Sequence, residues 1–199
     1  DESTIESQSI GSTISNEMRS NAVKALIVAC IFMLFYIWFR FKDIRFAGSA
    51  IIALVHDVLV MLTGYALIRI SVGNTFIACI LTIVGYSIND TIVIFDRIRE
   101  NMQGMKKQTP ETLAEVANRS LTQTLSRSLN TSITTIIMVL LLFILGVSSI
   151  REFALPLMIG LISGTYSSIF IAAALWYVMK LHLGKDKLLK PAVAKTKKK

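Results

Sequence analysis

The chain has 199 residues, 53% of them hydrophobic and 17% charged, and a mean hydropathy of +0.61. These values lie outside the range of soluble globular domains and indicate a protein that resides in a lipid bilayer. The formal net charge of +8 comes from basic residues that lie mostly between the apolar segments, without interleaved aromatic residues. We therefore expect basic loops and a basic tail, and no nucleic-acid-binding surface.

Residue types that carry catalytic or metal chemistry are scarce. Both cysteines, Cys30 and Cys79, lie inside apolar segments, and the two histidines, His56 and His182, are far apart. This pattern predicts neither a disulfide framework nor a metal site. Since no nucleophile or phosphate-binding loop accompanies them, we expect a protein that is not an enzyme and that uses no cofactor.

The amino-terminal segment has the character of a fragment. It begins DESTIESQSIGS, without Met and without a basic segment followed by an apolar core. We interpret residues 1–19 as the end of an extracytoplasmic domain that belongs to a longer protein.

A transmembrane domain is predicted over residues 20–180. A helix needs about 20 mostly apolar residues to cross a bilayer. Five segments qualify, at about residues 20–39, 46–68, 75–95, 127–147 and 153–179. The fold class is therefore an all-α membrane protein with five spans, followed by a basic tail over residues 181–199.

The basic residues predict the orientation of the spans. The segments at the ends of spans one, three and five, residues 40–45, 96–128 and 180–199, contain 17 of the 21 Lys and Arg. Because cytoplasmic loops are enriched in basic residues, we expect a cytoplasmic carboxyl terminus and an extracytoplasmic amino terminus in this fragment. The KTKKK end is most simply a solvated tail, although binding to anionic membrane lipid is an alternative.

The connection between spans three and four predicts a further helix on the cytoplasmic side. Thr109 suits the N-cap and Pro110 the first helical position. Apolar residues then recur at helical spacing, at Leu113, Val116, Ala117, Leu121 and Leu125. This helix would lie along the membrane interface and run into span four, or it would pack on the protein's own cytoplasmic loops.

An acidic residue inside span three is the first candidate for a functional site. Asp90 lies five residues before Phe95, within the sequence GYSINDTIVIF, and Thr91 follows it. Tyr86 and Asn89 share a helical face with Asp90. A charge inside a bilayer costs at least about 2.5–3.5 kcal/mol, so its retention indicates a function or a partner.

A basic residue at the start of span four is the second candidate. Arg127 shares a face with Asn130, Thr131 and Thr134 in the sequence LSRSLNTSITT. If spans three and four pack together, Arg127 and Asp90 lie at similar depth and could pair. Burial favours the protonated acid whereas a nearby guanidinium favours the carboxylate. The pair is therefore either responsive to protons or a permanent structural ion pair.

Span two contains two adjacent ionisable residues, His56 and Asp57. Neighbouring residues point about 100° apart on a helix, so at most one faces a given partner squarely. We expect a structural hydrogen bond for His56 and a place in a polar track for Asp57.

Span five carries small residues at four-residue steps, Gly160, Gly164 and Ser168, with Ser163 and Ser167 beside them. Such rows let helices approach closely in lipid, which predicts a helix-packing face.

Several segments resemble the SecF family, which provides the smaller subunit of the SecDF protein-export complex and belongs to the RND superfamily. The resemblance rests on ILTIVGYSINDTIVIFDRIRE, LSRSLNTSITT, the His56–Asp57 pair, FALPLMIGLISGTYSSIFIA and, more weakly, IGSTISNEM. It covers about residues 10–180 and implies a six-span protein of a bacterial cytoplasmic membrane, of which this chain contains spans two to six. An extracytoplasmic domain would lie between the first two spans.

The resemblance also implies a function. SecF and SecD together use the proton-motive force to assist preproteins that the SecYEG channel and the SecA motor have moved, and YajC is a further implied partner. Asp90 would match the membrane acid of proton coupling and Arg127 its basic partner, with part of the proton path contributed by SecD. Two alternatives stay open: another RND-type transporter of small molecules or lipids, and a passive scaffold of the Sec complex.

Overall fold

The computed structural model describes residues 2–69, 74–103, 105 and 108–183. These residues form helices joined by short connections. The elements are α1 (Glu2–Phe41), α2 (Ile44–Ile68), α3 (Asn74–Gln103), α4 (Pro110–Leu145), α5 (Ser148–Tyr166), a π-helical segment (Ser167–Ala172) and α6 (Ala173–Leu183). The predicted all-α class is confirmed.

The predicted number of spans is also confirmed. Five helical segments are long and apolar enough to cross a membrane, namely Val23–Phe41, Ile44–Ile68, Phe76–Gln103, Pro110–Leu145 and Ile150–Leu183. The last one comprises most of α5, the π-helical segment and α6. Helices α1, α3 and α4 extend well beyond the predicted spans because the polar residues that flank the apolar segments continue the helix. Residues 184–199, most of the predicted tail, lie outside the described residues.

Side-chain caps fix the starts of two helices. Asp43 is the N-cap of α2, and its Oδ1 accepts a 3.1 Å hydrogen bond from the backbone N–H of Arg45. Thr109 is the N-cap of α4, as predicted, and exchanges hydrogen bonds with Thr112 in a capping box. Each cap supplies acceptors for N–H groups that have no partner within the first helical turn.

The helix predicted on the cytoplasmic side is the first part of α4, which continues into span four without a break. Its 36 residues reach about 54 Å, longer than the roughly 30 Å core of a bilayer. Leu113, Val116 and Ala117 are buried in the same hydrophobic cluster as Phe95 and Trp176. Among the described residues, the apolar stripe therefore packs on other helices of the bundle and not on cytoplasmic loops, while the run into span four is as predicted.

Helix α5 is the centre of the bundle and packs against α2, α3 and α4. A Cβ atom added at Gly160 would overlap the side chain of Ile83, and one added at Gly164 would lie 3.2 Å from Cβ of Ser87. Glycine at these two positions is thus what lets α5 approach α3 so closely. Helix α1 contacts mainly α2, and most of its described side chains are exposed.

Two hydrophobic clusters fill the bundle. The first, which we call the Trp176 cluster, contains Phe46, Phe95 and Leu54; the second, the Leu157 cluster, contains Met61 and Ile83. The chain passes from one cluster to the other near Asp57 in α2, a turn before Ser87 in α3, and between Leu161 of α5 and Ile169 of the π-helical segment, where Ser163 and Ser167 lie. A layer of polar side chains therefore lies inside the bundle between two apolar ends.

Candidate functional site

The carboxylate of Asp57 is the centre of this polar layer. The residue has no exposed surface. Ser87 of α3 donates a 2.6 Å hydrogen bond to Oδ2, Ser167 of the π-helical segment donates another of 2.6 Å to Oδ2, and Ser163 of α5 donates one of 2.9 Å to Oδ1. Three packed elements thus place hydroxyl groups on one carboxylate, which compensates its removal from water.

His56 lies beside the same carboxylate but faces outward. Its Nδ1 is 3.2 Å from Oδ1 of Asp57, and 37% of its side chain is exposed. An imidazole at this position supplies either a neutral hydrogen-bond donor or a positive charge to Asp57. The structural hydrogen bond expected for His56 is thus made to its own neighbour.

A second set of bonds joins the π-helical segment to α3. The hydroxyl of Ser168 lies 2.9 Å from Oγ1 of Thr91 and donates a 3.2 Å hydrogen bond to the backbone carbonyl of Ser87. Ser167 and Ser168 are adjacent, so neighbouring residues of one segment bind α2 and α3, respectively. π-Helical turns inside α-helices are uncommon and frequently mark functional sites.

Asp90 lies on another face of α3 and is 4% exposed. Among the residues that the structure describes, none makes a hydrogen bond to its Oδ2. Across the interface it faces Ser128 of α4, whose buried Oγ likewise has no hydrogen-bond partner within the described ranges. Two polar groups therefore face each other in an apolar interior without a well-formed bond, an arrangement that is unfavourable unless a proton or a movement completes it.

Arg127 does not form the direct pair with Asp90 that we considered. In the described part of the chain, no nitrogen of Arg127 lies within 4.0 Å of a carboxylate oxygen, and its side chain is exposed. The reason is the rotation of α4 about its axis: Thr124, Ser128 and Ser132 face the bundle, so that Arg127 points away from it.

The remaining predicted residues of span four share this outward face. Asn130, Thr131 and Thr134 are exposed, and the two threonine hydroxyls bond to carbonyls of their own helix, Thr131 to Arg127 and Thr134 to Asn130. Asn89 of α3 is exposed as well. The structure thus separates the predicted polar residues into an outward group and an inward group.

Tyr86 belongs to the inward group. Its hydroxyl donates a 3.3 Å hydrogen bond to Ser132 of α4, and Thr165 of α5 donates one of 2.7 Å to the same oxygen. Ser132 therefore connects α3, α4 and α5 near Asp90.

The hydroxyl groups that surround the two buried carboxylates were not predicted from the sequence. Ser87, Ser128 and Ser132 were not singled out, and Ser163 and Ser167 were noted only as small residues beside the packing row. Their spacing held a usable signal, since Ser163 and Ser167 are four residues apart and Ser128 and Ser132 are as well. In a membrane span, serines at that spacing can line a polar interior as well as allow close packing.

A buried carboxyl group can bind and release a proton. Within the described ranges, no three His, Cys, Asp or Glu side chains converge as metal ligands would. The fold and the two buried carboxylates define a polytopic helical membrane protein that keeps acidic groups inside its bundle.

Comparison with known proteins identifies the family. Residues 1–182 match the family model described as protein export membrane protein SecD/SecF, C-terminal, and the chain belongs to this family. It is 48% identical over 172 residues to the protein translocase subunit SecF of Alicyclobacillus acidocaldarius, covering 86% of this chain and 56% of that protein. It is 44% identical to the SecDF subunit of Bacillus subtilis, covering 86% of this chain and 23% of that protein.

A solved structure has the same fold. A crystal structure of SecDF in a super-membrane-facing form matches with a TM-score of 0.78 at 44% identity, over 86% of this chain and 23% of that one. The chain thus spans about half the length of the SecF relatives that it matches, and about a quarter of the SecDF relatives.

Proposed function

We propose that this chain is the membrane part of a SecF-type subunit that, with a SecD-type partner, couples the proton-motive force to protein export through the Sec channel. The observation that carries the proposal is the buried carboxyl group of Asp90, whose Oδ2 has no hydrogen-bond partner among the described residues. The proposed event is the binding and release of a proton at the carboxyl group of Asp90. We propose no covalent chemistry and no cofactor other than protons.

The environment of Asp90 suits reversible protonation. An isolated carboxylate in an apolar interior is strongly unfavourable, whereas a protonated carboxyl group could donate to Ser128 across the interface between α3 and α4. Loss of the proton would favour a different packing of these two helices, in which the charge meets water or Arg127. Moving one charge through 100 mV is worth about 2.3 kcal/mol, enough to shift such a two-state packing more than tenfold.

The exposed polar residues of α3 and α4 support a partner protein within the membrane. Arg127, Asn130 and Asn89 are exposed on two helices that cross the membrane. Polar side chains facing lipid are costly, so this surface suits contact with another membrane protein. Fusion relatives named SecDF carry a region similar to this chain within one longer protein, which supports a SecD-type partner.

Family membership supports further partners, and the distribution of charge supports an orientation. SecYEG, YajC and a preprotein driven by SecA are proposed as the other components of the export pathway. The five apolar helices and the SecF relatives support a multi-pass protein of the bacterial inner membrane. The distribution of Lys and Arg supports a carboxyl terminus in the cytoplasm.

The test is the variant Asp90→Asn in the full-length subunit together with its SecD-type partner. We expect loss of the stimulation of export that depends on the proton-motive force, measured by preprotein translocation into inverted membrane vesicles. Copurification with the partner should be unchanged. The matched control is Asp96→Asn, the same substitution on the same helix, where the side chain is partly exposed and pairs with Arg40 at 2.9 Å.

Two outcomes would contradict the proposal. Undiminished stimulation in the Asp90→Asn protein would favour the passive scaffold. Failure to copurify any SecD-type partner, with proton-driven efflux of small molecules instead, would favour a different RND-type transporter.

A further inference from the structure

The turn of α3 that carries Asp90 is held by side chains from outside α3. Ser87 lies one turn before Asp90, and Thr91 follows it directly. Ser87 is bound through its hydroxyl to Asp57 at 2.6 Å and through its carbonyl to Ser168 at 3.2 Å; Thr91 is bound to Ser168 at 2.9 Å. All these groups are buried.

Asp57 is linked both to Ser87 and to Ser168. It binds Ser87 directly, and it also binds Ser167, the residue next to Ser168 in the π-helical segment. A movement of the Asp57 carboxylate would therefore shift α3 directly and would shift Ser168 through the backbone of the π-helical segment. Gly164 brings α5 close to the same turn of α3, since an added Cβ would lie 3.2 Å from the Cβ of Ser87.

We propose that Asp57 is a positioning residue for Asp90: through Ser87, Ser167 and Ser168 it fixes the rotation and height of the α3 turn that presents Asp90 to Ser128. This inference rests on the proposed function in taking Asp90 as the proton-binding residue. It goes further because it assigns a role at the proton site to Asp57, a residue of α2 that binds α3 through Ser87, one turn away from Asp90.

The other elements around Asp90 contribute different groups. Helix α4 brings Ser128 and, on its outward face, the guanidinium of Arg127, whereas α2 brings Asp57 with His56 to Ser87, one turn before Asp90. The π-helical segment brings the hydroxyls of Ser167 and Ser168. Protonation of Asp90 therefore depends on how far its turn stands from α4, and the serine contacts set that distance.

The test measures the chemistry of Asp90 and not export. Dicyclohexylcarbodiimide modifies protonated carboxyl groups in apolar surroundings, and tandem mass spectrometry distinguishes a modified Asp90 from Asp57 and Asp96. The full-length subunit, purified with its SecD-type partner, is labelled over a range of pH. The rate at Asp90 and the pH of half-maximal labelling are recorded.

Two buried serine variants form a matched pair, Ser168→Ala and Ser49→Ala. Ser168→Ala removes the bonds to Ser87 and Thr91, whereas Ser49→Ala removes bonds only to backbone carbonyls of its own helix α2. We expect Ser168→Ala and Asp57→Asn to change the labelling rate at Asp90 by about threefold or more, the factor of a typical hydrogen bond between membrane helices, and to shift its pH profile. Ser49→Ala should leave both close to the wild-type values.

The outcomes separate the two proposals. Wild-type labelling of Asp90 in both the Ser168→Ala and the Asp57→Asn proteins would overturn the positioning role alone. Equal effects of Ser49→Ala and Ser168→Ala would also overturn it, because the cause would then be general packing. If Asp90 is not labelled at any pH in the wild-type protein, the proton-binding role and the positioning role both fail.

Discussion

The ammonium group of Lys180, near the end of the last helix, lies 3.0 Å from Oδ2 of Asp43, the residue that caps the start of α2. One carboxylate therefore closes the first turn of one helix and joins it to another that is distant in sequence. Both side chains are mostly buried, so this pair is less screened than a surface ion pair.

Replacing Asp43 separates these two roles. Asp43→Ala removes the cap and the pair, and we expect a loss of about 1–2 kcal/mol in the free energy of unfolding. Asp43→Asn keeps a capping acceptor and should lose less than half as much. The measurement is denaturant unfolding of the detergent-solubilised protein, and equal losses for the two variants would show that the cap contributes little.

The contact between α5 and α3 predicts a difference between two glycines. Gly160→Ala places a methyl group against Ile83 and should destabilise the protein by about 1–3 kcal/mol, as overpacking does. At Gly85 an added Cβ meets no atom of the described residues within 4 Å. Gly85→Ala should therefore leave stability unchanged or raise it by up to about 1 kcal/mol through helix propensity. Thermal unfolding of the two variants measures this difference in stability. Equal unfolding temperatures would contradict the close contact between α5 and α3.

The hydrogen bonds to Asp57 predict non-additive effects on stability. Asp57→Ala leaves the hydroxyls of Ser87, Ser163 and Ser167 without their acceptor, and we expect a loss of at least about 2 kcal/mol. Ser163→Ala alone should cost about 0.6 kcal/mol. In the Asp57→Ala background the same serine change should cost almost nothing, because its partner is already gone. Fully additive losses in a double-mutant cycle would argue against this bond.

The exposure of Arg127 predicts that its charge contributes little to the stability of the bundle. If Arg127 were permanently paired with a buried Asp90, Arg127→Gln would leave the Asp90 carboxylate buried without a counter-charge. The free energy of unfolding would then fall by about 3–5 kcal/mol. Since the two side chains form no ion pair in the described structure, we expect a change within about 0.5 kcal/mol. Export stimulation should nevertheless fall, because Arg127 would receive the charge in another packing of α3 and α4. A large loss of stability would instead indicate a permanent pair.

Much of the fold follows from local signals in the sequence. The apolar length of each span predicts a membrane helix, and the cap at Thr109 follows from its place before Pro110. The cost of burying a charge in a bilayer likewise distinguishes Asp90 and Asp57 from the apolar residues of their spans. These inferences succeed because each depends on the residue itself or on its nearest neighbours.

The inward face of α4 could not be predicted in this way. The sequence LSRSLNTSITT carries polar residues around the whole helix, so that both Ser128–Ser132 and Arg127–Asn130 form plausible polar rows. Packing against α3 and α5 decides between them, and packing depends on residues far away in sequence. The hydrogen bonds to Asp57 could not be predicted for the same reason, since the serines that bind it lie at least 30 residues away in sequence.

The π-helical segment also explains a regularity of the last span. Gly160, Gly164, Ser168, Ala172 and Trp176 are each four residues apart, and all are buried. In a regular α-helix residues four apart drift by about 40° per step, which would carry Trp176 to the opposite side from Gly160. The i→i+5 bonds over Ser167–Ala172 rotate the chain less per residue and so offset part of that drift. Five α-helical residues rotate the chain by nearly the same total angle as these six π-helical ones. Deleting one residue from this segment would therefore restore a regular α-helix and keep both Gly160 and Trp176 facing the core.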